Sequence, residues 1–527
     1  MPFATPTLCT KCDGTGRLES EVTPFTFKVP SPVPALVGTN HTPSDSEADA
    51  IRDTISELQP SISALDNDIA PLQATLTELR RKRQTLLSHI QEHKSLISAI
   101  RRFPAELLGE VFVRCLPERW QKRTFGVNKT PLLLTQVCRH WRAIAISTRE
   151  LWSSFVYERL NPSDVSLTKL WLARGGNCTM NIRISESSVN TRDIWTVHQV
   201  LTLLVSHCER WRNLEIHLLL HMASVIAAAK DRLPVLRTLV IHPLEPYDNG
   251  SQVIDTFERA PLLRSFQSNE LRFFRVNIPW AQLDELTMDA NIDLAVAILG
   301  QAVNLSHFRL TSRPSFLEAP LSVLHHNQLR SLTLQISSPH SPFSYLTLPA
   351  LQDICIIQGN TYSSQSQLIC FLSRSKCSLR SFAFHNVPLT GGQLLECLEH
   401  APSLLELKLL GKSSHSITDE VLHRLICRDT ENAQVTCLTP TLQAIDIDAY
   451  DILNPSLFMD MVQSRSCIRS DSSFAISRLK KVAISFQYAD GQLERLVFAR
   501  ARVRQLRDEG LDISIVQHFE QGPSIAL

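Results

Sequence analysis

The chain contains no GxGxxG, HExxH or GxSxG motif, and no second CxxC joins the one at Cys9 and Cys12. The signatures of a dinucleotide fold, a zinc protease and a serine hydrolase are therefore missing. A zinc site needs four ligands in tetrahedral array. Cys9 and Cys12 supply two, and the next candidate, His41, lies in a proline-rich stretch. Net charge is also absent: 53 Lys and Arg against 52 Asp and Glu leave +1. No basic field favours nucleic acid. Long hydrophobic runs are lacking too. The most apolar window, Leu214–Ala229, is interrupted by Glu215, His217 and His221, and falls short of the roughly twenty clean residues of a membrane helix. The opening MPFATPTLCTKCDGTG has neither a cationic nor an apolar region, so a secretory signal is not expected. Thirteen cysteines are scattered singly, a usage that fits a reducing compartment. The expected location is cytoplasmic and/or nuclear, with neither membrane nor nucleic acid as partner.

At 527 residues the chain has room for roughly three to four domains. Residues 1–46 hold seven of the 28 prolines and read as a disordered tail. From Ile51 the pattern changes. Ile51, Ile55, Leu58, Ile62, Leu65, Ile69, Leu72, Leu76, Leu79, Leu86, Ile90, Ile97 and Ile100 follow a 4-3 spacing that only Arg83 and His93 interrupt. One seam position is mostly Ile and the other mostly Leu, the combination that favours parallel dimers. Pro60 and Pro71 fall outside the seam but each removes a helix hydrogen bond. The expectation is therefore a helix broken near Pro60 or Pro71, its segments packed within the chain, with an intermolecular coiled coil as the alternative.

Beyond residue 157 a Leu-x-x-Leu-x-Leu pattern recurs. It runs through Leu236/Leu239/Ile241, Leu283/Leu286/Met288, Leu305/Phe308/Leu310, Leu329/Leu332/Leu334 and Leu351/Ile354/Ile356. It continues through Leu379/Phe382/Phe384, Leu404/Leu407/Leu409, Leu442/Ile445/Ile447 and Leu479/Val482/Ile484, with Leu263/Phe266 a weaker copy. The first seven spacings run from 20 to 28 residues, within the span of leucine-rich repeats, roughly 20–29 residues. Apolar helical pieces such as VIDTFERAP, QLICFLSRS and GGQLLECLEHAPSL precede several copies. The segment resembles a degenerate leucine-rich repeat. The loop Asn or Cys of that family is met only by Asn291, where other units offer Arg313, Ser337 or Gly359. An ordinary α/β domain with chance repetition is the alternative.

Little else points to chemistry. Gly411-Lys412-Ser413 looks like the end of a phosphate loop, but Glu406 stands where its first glycine belongs. His325 and His326 have no carboxylate or cysteine near them in sequence. The runs Arg80–Arg83 and Arg500, Arg502, Arg504 and Arg507 read as solvated faces.

Residues 101–157 are the most telling. Pro104 suits the first helical position and Glu106 the first turn. Leu107, Leu108, Val111, Phe112, Cys115 and Leu116 form a wide apolar stripe. Pro131 is expected to open a second helix carrying Leu133, Leu134, Val137, Cys138, Trp141, Ile144 and Ala145, with Arg139, His140 and Arg142 outward. Leu151, Trp152 and Phe155 add a third short piece. So much apolar surface in so little chain calls for a partner. FPAELLGEVFVRCL resembles the opening of an F-box, Phe103 replacing its usual Leu, and VCRHWRAIAISTRELWSSF resembles its close. The intervening ERWQKRTFGVNKT is longer and more basic than in that family.

The resemblance implies a substrate-recognition adaptor of a Skp–cullin–F-box ubiquitin ligase. In that role the chain docks on a Skp-type linker, and through it a cullin, and holds a protein substrate on the repeats. It has no catalytic residue and needs no cofactor or metal. The residues implied for linker binding are Phe103, Pro104, Glu106, Leu107, Leu108, Val111, Phe112, Leu134, Val137, Cys138, Trp141, Leu151 and Trp152. A ligase-independent scaffold using the same modules is the alternative. The period of two along a strand turns Thr287, Arg309, Thr333, Cys355, Lys408 and Asp446 outward as target-binding candidates, with the loops after Ile336 and Leu410 as alternatives. The expected fold is α+β and multi-domain. A heptad helical segment (47–100) and a three-helix F-box-like module (101–157) precede an α/β leucine-rich-repeat-like solenoid with a parallel sheet (158–500). A tail or cap (501–527) ends the chain.

Overall fold

The computed structural model describes residues 30–123, 129–185, 194–218, 222–243, 253–269, 271, 275–313, 322–336, 341–358, 365–429, 435–449, 454–466, 477–487, 502–519 and 522–526. Cys9, Cys12, Ser337, Gly359 and Arg500, and the loop after Ile336, lie outside these residues. The chain divides into two compact units, residues 1–103 and 104–527.

The first unit is dominated by one helix, Asp45–Leu96, of 52 residues. A capping box starts it: the Glu47 carboxylate accepts from the Ser44 N–H at 2.9 Å and its hydroxyl at 2.6 Å. Two expectations are corrected here. The helix runs through Pro60 and Pro71 without ending. Both prolines are exposed, as are Ser56 and Asn67, whose carbonyls lose their helical donors, so water can replace those donors. Nor does the Ile/Leu seam fold back on its own unit. Ile62, Leu65 and Leu72 are 58%, 60% and 69% exposed.

In the second unit fifteen strands form one sheet in strict chain order among the described residues. The first fourteen are parallel, from Ser154–Tyr157 to Asp512–Phe519, and Gly522–Ala526 closes the sheet antiparallel. In every full copy of the repeated motif the second and third positions lie on a strand and the first just before it. Its apolar positions are buried: Leu239, Ile241, Leu332, Leu334, Phe382 and Phe384 are all fully enclosed. Helices such as Ile292–Gln301, Gln365–Ser375, Gly391–Glu399 and Pro455–Ser466 connect the strands. The segment VIDTFERAP is different. It begins as a two-residue strand, Val253–Ile254, paired with Arg275–Val276. Asn291 caps the helix Ile292–Gln301, its side chain accepting the Leu294 N–H at 3.1 Å.

The sheet extends beyond the expected limits at both ends. Strands at Ser154–Tyr157, Met180–Ile184 and Trp211–Leu218 precede the first motif recognised, and the C-terminal segment contributes the last two strands. Two of the added units carry aromatics in the first position, Trp152/Phe155/Tyr157 and Trp211/Leu214/Ile216, and all six side chains are buried. Among the described residues no helix is long and apolar enough to cross a membrane.

One buried cation ties the last repeats together. Arg465 is fully buried and donates to the carbonyls of Leu425 at 2.7 Å, Thr439 at 3.0 Å and Leu438 at 2.5 Å. Replacing it would leave three acceptors without their donor, two of them, on Leu425 and Thr439, in buried residues. Arg465→Met is expected to lower unfolding free energy by on the order of 3 kcal/mol or more, read by denaturant titration. Arg424→Met, which breaks only the exposed pair with Glu399, should change it by less than about 1 kcal/mol.

Candidate protein-binding surfaces

The first surface is carried by short helices at the start of the second unit. Ala105–Arg114 has Pro104 as its N-cap, one residue earlier in the helix than expected. The expected second helix is split in two, Leu134–Val137 and Arg139–Ser147. Cys138 adopts an extended conformation between them, and its Sγ accepts the Trp141 N–H at 3.4 Å, so it caps the second piece. Pro131 precedes the helical residues. A 3-10 turn, Arg149–Trp152, follows and leads into the first strand of the sheet, where Phe155 lies.

The structure sorts the expected binding residues by burial. Leu108, Phe112, Leu134, Leu151 and Trp152 are buried and hold the helices together. Trp141 is half-buried, its ring 4.9 Å from that of Phe112. Trp152 fixes the arrangement: its Nε1–H donates to the Ala145 carbonyl at 2.8 Å, and its ring meets Trp171 edge-on at 4.8 Å. The Arg174 guanidinium lies over the same ring at 4.4 Å. Pro104, Glu106, Leu107, Val111, Val137 and Cys138 are exposed. Phe103 is exposed as well and closes the first unit. The outcome is two i, i+4 apolar pairs on the surface. Leu107 and Val111 are 52% and 41% exposed, and Leu133 and Val137 are 45% and 55%. Leu133 was not singled out for binding in the sequence; its i, i+4 spacing to Val137 was the available signal.

The second surface is the polar face of the sheet. Strand register places Thr287, Arg309, Thr333, Cys355, Ala383, Lys408 and Asp446 in one row, each the partner of the next. All six expected target-binding residues therefore share a single line of the sheet. Arg309 is exposed and the other five are half-buried. The row is electrostatically mixed. Lys408 pairs with Glu406 at 2.8 Å, and burial raises the Asp446 carboxyl above the usual range. Toward the first strands the row reaches Arg183 and Glu215, paired at 2.7 Å. The neighbouring His217 imidazole is pushed down to about 4 by burial, helped by His242, whose ring is 4.8 Å away, and by Arg183. The segment after Leu410 is a 3-10 helix, Gly411–Ser416. Its Ser413 hydroxyl accepts the Val387 N–H at 2.7 Å and so serves the fold. His326 is likewise engaged by the fold, its ring lying 2.9 Å from the Ala302 carbonyl.

A feature not anticipated is an open cleft of about 670 Å³ beside the first strands, lined by Trp120, Arg123, Asn181, Arg212, Asn213 and Arg237. Arg212 and Arg237 in its lining belong to a recurrent series along the sheet. Arg212, Arg237, Arg264, Arg330 and Arg380, all exposed, each stand one residue before the same row of the sheet. On the polar face Asp284, Glu285 and His307 come together, all exposed, with Ser306 bonded to both Asp284 and His307.

The partition of the helical surface makes a stability test direct. Leu108→Ala should cost about 2–5 kcal/mol in chemical denaturation. Leu107→Ala, one residue away but exposed, should stay within about 0.5 kcal/mol of the parent. Compared with known proteins, the chain matches no family model and no curated protein.

Proposed function

We propose that the chain is a substrate-recognition adaptor of a Skp–cullin–F-box ubiquitin ligase. The observation that carries this reading is the pair of exposed apolar steps, Leu107/Val111 and Leu133/Val137, on helices whose opposite faces are buried. A rigid backing beneath a compact apolar patch is what a protein-docking site needs. The sequence around it carries the opening and closing motifs that resemble an F-box, which gives the partner: a Skp-type linker and, through it, a cullin. The polar row from Thr287 to Asp446 is the surface proposed for the protein substrate. Its mixed charges and half-buried hydroxyls suit specificity more than raw affinity. In this role the chain supplies proximity, holding a substrate where a separate enzyme can modify it. It would do so in the cytoplasm or nucleus, without a cofactor.

The test is co-purification with a Skp-type linker. Leu107→Asp/Val111→Asp should weaken capture about 30-fold or more, the effect of losing roughly 2 kcal/mol at a hot spot, while leaving the unfolding midpoint unchanged. Full-yield capture by that variant, or failure of the parent chain to bind the linker, counts against the assignment. Arg309→Glu/Lys408→Glu is expected to reduce recovery of substrate proteins in affinity purification with mass spectrometry, with linker recovery unaffected. Equal substrate recovery would remove the polar row from the binding site.

A further inference from the structure

The helix Asp45–Leu96 presents a long apolar seam that nothing else in its own unit covers: Ile55, Ile62, Leu65, Ile69, Leu72, Leu76, Leu79, Leu86 and Ile90 are between 44% and 69% accessible. Helices in proteins draw most of their stability from burying such a face. Two prolines within this one increase that need. We propose that the seam is covered by the same helix of a second copy of this chain, running antiparallel.

Three observations choose this occupant. The first is the repeat itself. Apolar residues hold both seam positions from Ile51 to Ile90, with Arg83 the one exception, a narrow stripe of the kind that packs against a facing helix in either direction. Six heptads offer about two dozen seam and flanking residues, the size of one side of a standard protein interface, roughly 20–30 residues. The second is charge. Residues 45–70 carry seven carboxylates against one arginine, and residues 71–96 carry five Lys and Arg against two carboxylates. Side by side and parallel, like halves would repel; antiparallel, each acidic half lies along a basic one. The helix dipoles favour the same direction.

The third observation is register. Full overlap of the two helices sets Asp45 beside Leu96 of the second copy. That register places Ile55 opposite Leu86, Ile62 opposite Leu79 and Ile69 opposite Leu72, seam position against seam position along the whole length. Arg83 then faces Leu58 and His93 faces Ala48. In a parallel pair Arg83 would meet Arg83 and His93 would meet His93 in the seam. The twofold axis falls between Ala70 and Pro71, and both prolines point away from the seam. The proposal does not depend on the adaptor reading. Its consequence for any binding by the second unit is a doubled valency.

Sedimentation of the full chain should give a particle of twice 59.4 kDa. Carbodiimide treatment followed by peptide mass spectrometry should then yield an amide between Lys94 and Asp45 or Glu47. Those groups lie about 70 Å apart along one helix at 1.5 Å per residue, so only an antiparallel pair of copies can join them. Ile69→Asp/Leu72→Asp should abolish both the dimer and this product. All seven tryptophans lie in the second unit, so an unchanged fluorescence unfolding curve will show that the variant lost only the helix pair. A monomer at about 50 μM parent chain, a dimer without the Lys94 product, or a dimer that survives the double substitution would each overturn the proposal.

Discussion

Everything in the second unit depends on parallel strands pairing in a common register. From Ser154 to Phe519 each strand meets the next with the same alternation, and among the described residues the one shift within the parallel part falls at Met180/Asn181. Because side chains alternate faces, a one-residue slip anywhere would turn an apolar row to water and bury a polar one. The row Phe266, Leu286, Phe308, Leu332, Ile354, Phe382 and Leu407 is apolar throughout. The adjacent row from Gln267 to Asp446 is largely polar. Parallel sheets usually have both faces covered and read as continuous apolar runs. Here one face is polar by sequence, and the helices and turns between strands enclose the other. The register that folds the chain also lines up the proposed substrate-binding residues.

The short helices are attached to this sheet through Trp152. The side chain occupies the first position of the Trp152/Phe155/Tyr157 unit, yet it also bonds Ala145 in the last helix before the sheet. Its contacts with Trp171 and Arg174 reach the first connecting helix, Pro162–Gly175. One indole thus belongs to both parts. A boundary at residue 157 would part the strand Ser154–Tyr157 from Met180–Ile184, with which it pairs. The helical surface is therefore held by the repeat it precedes, and residues 104–527 form one compact unit.

How much of this was legible in the sequence follows from what each signal measures. Leu, Ile and Phe at fixed spacing report burial on a strand, and those units were placed correctly from Leu236 to Ile484. Units led by Trp152 and Trp211 carry the same burial in aromatic form, so a pattern written in leucine passes over them. Periodicity in 101–157 found the apolar stripe. It could not say which members face inward, because Leu107 and Leu108 are chemically identical and only their neighbours separate 52% from 1% exposure. The break at Cys138 depends on a thiol accepting a backbone N–H, an interaction that composition does not reveal. The prolines misled for a related reason. Their penalty presumes a carbonyl with no other donor, and on an exposed helix water is available.

The distribution of exposed apolar side chains bears on the division of labour. They concentrate between Ile55 and Ile146, on the long helix and the short helices, and become sparse along the sheet, with Val253, Leu262, Val303 and Val323 among the few. The outward faces therefore differ in kind. Apolar patches bind by area removed from water, with little discrimination among partners of similar shape. Polar rows held at fixed spacing bind through matched hydrogen bonds and charges, where a single wrong group is heavily penalised. A chain that must hold constant partners and also distinguish variable ones would separate these two kinds of surface. This chain carries them on different elements, the apolar seams on helices before Ser154 and the polar row on the strands that follow.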